Sequence, residues 1–216
     1  MINQIEAIAK EMMQGASGCH GWLHVNSVRL LALKIAKAEN ANLFVVEVAA
    51  LLHDIGRKAE MDSKGQGCHA ELGSEQAEKI LAGFPISDAD KQNIIGCIKT
   101  HRYRKNLAPQ SLEAKIIFDA DKLDSIGAIG LARAFYFAGK VGAEIYTGRE
   151  ELLAQEKDHD KYSYTVEDTG ILEYEVKLKF VAARMLTDTG RILANHRHEY
   201  MSDFIREFKE EINCNE

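Results

Sequence analysis

Apolar residues return every three or four positions along most of the chain, and short polar breaks cut the pattern into segments of helical length. In residues 2–14 the repeat is carried by Ile5, Ile8, Ala9 and Met12, and Ser17-Gly18 ends it. A second helix is predicted from about His20 to Ala38, with His24 in register with Val28, Leu31 and Ile35. The segment 42-NLFVVEVAALLHDIG-56 differs, because its apolar residues cover most of the helix surface. That predicts a central helix buried on all sides, with Asn42 as its N-cap.

A polar stretch with Gly65 and Gly67 predicts a loop over 57–68. Helices are expected at about 69–82, 87–103 and 111–123, then a helix of small residues at 125–139. Residues 140–168 are polar and irregular, and two amphipathic helices close the chain at about 170–187 and 188–211. No segment reads as a strand, an internal repeat or a low-complexity tract. The prediction is an all-α helical bundle of one domain over 1–216, with a core at about 20–139 and the helices of 170–211 packed on it.

Composition and charge narrow the function. With 46% hydrophobic residues and only two prolines in 216 positions, the chain can bury a large core and favours long helices. A net charge of −6 argues against a general nucleic-acid binder, which needs a broad basic face. Phosphate chemistry here would therefore need a local positive source such as a bound cation. No apolar run reaches 18 residues and the N-terminal pattern lacks a signal-peptide core, so no membrane partner and a cytoplasmic location are expected. Cys19, Cys68, Cys97 and Cys214 form no C-x-x-C pair and read as reduced, structural thiols.

The central helix ends on His53 and Asp54, two strong metal-ligand types. In 116-IIFDADKLDSIG-127, Asp121 shares the apolar face of Ala114, Ile117 and Asp124, whereas Asp119 points nearly opposite, alongside Lys115. A carboxylate on an apolar face must be paired or bound to a cation. Asp121 is thus the expected ligand, and Asp119 a supporting or surface group. Together His24, His53, Asp54 and Asp121 offer two imidazoles and two carboxylates from three helices, a set suited to Mn²⁺, Fe²⁺, Ni²⁺, Zn²⁺ or Mg²⁺.

The ordered set H…HD…D resembles the signature of the HD-domain metal-dependent phosphohydrolase superfamily. It is most similar to the small stand-alone bacterial nucleotide phosphohydrolases and pyrophosphohydrolases. Three stretches carry the likeness: His20 and His24 as His-x-x-x-His, the DADKLD-S-IGAIG stretch of residues 119–135, and 185-MLTDTGRILANHRHEYM-201. Members often carry an Asp after the first His and an Arg three residues after the second, where this chain has Gly21 and Ser27.

The resemblance implies that His24, His53, Asp54 and Asp121 bind a divalent metal ion, with Mn²⁺ favoured and Co²⁺ also possible. It makes Asp54 and His69 candidates for moving the proton of an attacking water. His20, Arg57, Lys58, His101, Arg104 and Lys122 become candidates for holding the substrate. His69 and His101 have two readings, as groups around one metal or as ligands of a second ion, and a single ion is favoured. The implied reaction is cleavage of a nucleoside triphosphate to monophosphate and pyrophosphate. The alternatives are a monophosphate phosphatase, another phosphoester hydrolase or a non-enzymatic nucleotide sensor. A nucleotide is the expected partner, and the chain is expected to be a monomer or homodimer.

Overall fold

Asn42 opens the central helix as the pattern requires, its side chain accepting from the backbone N–H groups of Phe44 (3.1 Å) and Val45 (3.3 Å). The computed structural model describes residues 1–14, 21–62, 67–102 and 107–213. Among them no strand occurs, and the protein is all-α. By packing the chain divides into two compact units, Met1–Asp121 with Leu186–Gly190, and Lys122–Met185 with Arg191–Glu216.

The first unit is built on α1 (Ile2–Met12), α2 (Trp22–Ala38), α3 (Leu43–Leu52), α4 (Arg57–Asp62), α5 (His69–Ala82), α6 (Asp88–Thr100) and most of α7 (Leu112–Asp124). Helix α3 packs against α1, α2 and α6, and every residue from Val48 to Leu52 is fully buried. Its all-round apolar surface explains that position, since each fully buried aliphatic side chain contributes roughly 1.5–3 kcal/mol. Val25, Val28, Ala32 and Ile35 of α2 and Ile94 and Ile98 of α6 complete the core. Arg29 of α2 donates to Glu6 of α1 and Glu47 of α3, both at 2.9 Å, and ties the three helices together.

The second unit holds α8 (Gly127–Val141), the single turn α9 (Glu150–Leu153), α10 (Gly170–Val176) and the greater part of α11 (Asp188–Ile212). Phe135 of α8 meets Phe204 and Phe208 of α11, with ring centroids 6.1 and 5.9 Å apart. Buried Glu150 accepts from the Thr147 amide (2.7 Å) and from the hydroxyl of Thr169 (3.2 Å), which caps α10. No helix of the described residues is long and apolar enough to cross a membrane.

Two elements differ from the pattern. Residues 57–62, expected in a loop, form α4. The segment 170–187, expected as one helix, leaves the helical path at Lys177 (φ −140°, ψ −57°) and continues as two 3-10 turns, 178–180 and 182–184. Beyond them Met185 is extended (φ −65°, ψ 139°), and the side chain of Asp119 takes the backbone N–H groups of Leu186 and Thr187.

Candidate metal centre

Six side chains from α2, α5, α7 and the C-terminal ends of α3 and α6 meet inside the first unit. His53 and His101 are the residues immediately after α3 and α6, so both helices aim their last turn at one place. His24 projects from α2, His69 opens α5 and Asp121 lies in the last turn of α7. All but Asp121 are buried. The central residue is Asp54, 1% exposed.

The six form two triads. In the first, His24 Nε2 lies 3.3 Å from His53 Nε2 and 3.4 Å from Asp121 Oδ1. In the second, His69 Nε2 lies 3.3 Å from His101 Nε2, and Asp54 Oδ1 is 3.4 and 3.7 Å from these nitrogens. Asp54 Oδ2 turns the other way, 3.5 Å from His24 Nε2 and 3.7 Å from His53 Nε2, and is ion-paired with Arg57. One carboxylate therefore faces both triads.

Hydrogen bonds set the tautomers. His53 Nδ1 donates to the Ala50 carbonyl (2.8 Å) and His101 Nδ1 to the Ile98 carbonyl (2.6 Å). His69 Nδ1 donates to Glu60 Oε2 at 2.7 Å, and Arg102 donates to the other oxygen of Glu60 at 3.3 Å. Burial holds the His53 imidazole down at about 4. His69 is likewise held at about 4 by burial, reinforced by the charge of Arg57. Both rings are neutral at pH 7, and with Nδ1 protonated their Nε2 lone pairs point inward. Burial alone would raise the Asp54 carboxyl, but His53 and Arg57 outweigh it and keep it well below the usual carboxylate range. Asp54 Oδ1 is buried and accepts no hydrogen bond.

Inward lone pairs about 3.3 Å apart and an unsatisfied buried carboxylate oxygen repel one another unless a cation lies among them. The donor set fits divalent ions: two imidazoles and a carboxylate at each triad, with ring orientations locked by carbonyls and by Glu60. No spacing rule marks Glu60, which acts through His69 nine residues onward.

Close packing brings the second triad to the first. A Cβ on Gly56 would collide with the His69 carbonyl and with the backbone of Gly73, so the turn after the His-Asp doublet lies directly on α5. Gly56 has no positive φ. Its role is close approach.

The sequence joins His69 to proton transfer and His101 to substrate; the structure places both in the buried second triad. Arg57 is engaged by Asp54, and exposed Lys58 lies nearby on α4. Lys122 falls in the second unit. His20 and Arg104, like Cys19 and Cys214, lie outside the described residues. Asp119 is no surface group: it is 0% exposed. It accepts from the Leu186 amide (2.8 Å), the Thr187 amide (2.8 Å) and the Thr187 hydroxyl (2.6 Å). The face opposite Asp121 is covered by residues 186–190, which a single helical wheel does not show. Asp124 is buried and paired with Arg133.

Three comparisons with known proteins bear on this site. A family model described as HD domain matches residues 22–126. The chain is 33% identical over 213 residues to YpgQ of Bacillus subtilis, an uncharacterized protein, covering 97% of this chain and 92% of that one. The crystal structure of Bacillus subtilis YpgQ in complex with ADP superposes with a TM-score of 0.74 at 32% identity, over 97% of this chain and 94% of the other. An HD-superfamily hydrolase from Bacillus thuringiensis gives a TM-score of 0.74 at 26% identity, covering 98% and 96%.

Proposed function

The chain belongs to the HD-domain superfamily of metal-dependent phosphohydrolases, and from that premise we propose that it cleaves nucleoside triphosphates to monophosphate and pyrophosphate. The observation that carries a metal-dependent hydrolysis is the pair of triads sharing Asp54, which we read as holding two divalent ions. The ADP complex of YpgQ supports a nucleotide as the substrate. Four imidazoles favour Mn²⁺, Fe²⁺, Co²⁺, Ni²⁺ or Zn²⁺ over Mg²⁺, and Mn²⁺ is our first choice.

When bound, such ions polarise a phosphoryl oxygen and acidify water. The protein's own contribution is placement and charge. Asp54 and His69 are both held on the acidic side of their ordinary values, so neither is set to carry a proton away at neutral pH. They fix positions instead, as phosphoryl transfer chiefly requires. Lys58, exposed beside Arg57, is the cation placed to meet the outer phosphates. We place the protein in the cytoplasm as a monomer or homodimer, with neither nucleic acid nor a membrane as partner.

One observation favours a monophosphate phosphatase as the second reading. Arg57, one of the cations expected to hold the substrate, is engaged by Asp54, which leaves less positive charge for a triphosphate than the sequence advertises. The test is turnover of nucleoside tri-, di- and monophosphates with Mn²⁺ against a chelated control, detecting pyrophosphate and phosphate separately. Pyrophosphate as first product from a triphosphate supports the main reading. Phosphate alone, released fastest from monophosphates, replaces it with the second, and no metal-dependent turnover of any nucleotide refutes both.

A further inference from the structure

Beside the metal centre a cleft of about 250 Å³ opens between the end of α1 and α4. Met12 and Met13 from the end of α1, Asp54 from the turn after α3, and Arg57, Lys58 and Met61 from α4 line it. Half of the chain's six methionines meet there. Met13 is buried, but Met61 is 72% exposed, an apolar side chain held in water on a short polar helix.

We propose that this cleft seats the base of the nucleotide whose phosphates lie at the metal centre, an assignment that rests on the nucleotide reading above. Three features choose the occupant. The cleft adjoins the centre, because Asp54 belongs to both, so a molecule held by phosphate at the triads has the cleft within its reach. Its lining is mixed, with Lys58 and the Arg57–Asp54 ion pair beside three thioethers. Those thioethers are polarizable and adaptable, and they make favourable contacts with flat aromatic rings. Gln14 and Asp62 also line the cleft and offer polar atoms to the edge of a heterocycle.

The test compares ATP with inorganic tripolyphosphate, which has the same anhydride bonds and no base, using the wild type, Met61→Ala and Met12→Ala with Mn²⁺. Met61 is exposed, so its truncation does not threaten folding. In Met61→Ala we expect KM for ATP to rise by about fivefold or more while KM for tripolyphosphate stays within about twofold. An equal effect on both substrates, no effect on either, or a wild type that handles tripolyphosphate as well as ATP overturns the cleft assignment. Should the wild type hydrolyse neither compound, the catalytic reading fails separately. The cleft is then judged by calorimetry of ADP against pyrophosphate: ADP binding weakened in Met61→Ala with pyrophosphate unchanged upholds it, and unchanged ADP binding overturns it.

Discussion

Asp54 uses its two oxygens for different neighbours, and that division makes a stoichiometric prediction. The second triad consists of His69, His101 and one oxygen of Asp54, and the first is completed by Asp121. His69→Ala is expected to lower bound metal from two equivalents per chain to one, and Asp121→Ala to do the same by emptying the other triad. Metal analysis after gel filtration checks this, and loss of both ions in each variant would show a single indivisible centre. Asp119→Ala should behave differently. It removes an acceptor from two amides and a hydroxyl, at a cost of roughly 3 kcal/mol, and should lower the melting temperature while the metal content persists. At this scale the sequence revealed much. His24, His53 and Asp121 were readable because each departs from an apolar face. Glu60 and the burial of Asp119 were not, since each depends on a neighbour distant along the chain.

At the scale of elements, the ends matter more than the middles. The bodies of α2, α3, α5 and α7 follow directly from apolar spacing, and Asn42 caps α3 as its residue type suggests. Tertiary contacts decided what spacing did not: α4 forms where a loop was expected, and the segment after Gly170 breaks up. The approach of α5 to the turn after α3 rests on Gly56 and Gly73. A methyl on Gly56 must push α5 away, taking His69 with it. We expect Gly56→Ala to cost at least 2 kcal/mol of stability, the scale of an overpacked core, and to lose the ion at the second triad. Thermal melts and metal analysis of one sample check both effects, and an unchanged metal content would show that α5 is not held by this contact.

For the molecule as a whole, the buried imidazoles tie stability to pH. His53 and His69 titrate near 4 when folded, against about 6.5 when unfolded. Between these values the unfolded chain binds more protons, so stability is complete above about pH 6.5 and falls as pH drops toward 4. The slope reaches roughly 1.4 kcal/mol per pH unit for each histidine. Chelated protein should therefore melt at clearly lower temperature at pH 5 than at pH 7.5. Added Mn²⁺ should reduce the difference, because the ion competes with protons for the same nitrogens. Equal melting of the chelated protein at both values would refute the buried neutral state of these rings. The overall class was the most legible property, because one period runs through the whole chain. The division into two compact units was not, because Asp121 and Lys122 are consecutive residues of one helix.

The grip of Arg57 on Asp54 has a consequence for how the carboxylate's charge is divided. One oxygen is already answered by a guanidinium, while the other is buried with no hydrogen bond, so the demand for an outside cation is concentrated on the side of His69 and His101. The same residue is thus half satisfied by the chain and half left for a ligand to satisfy.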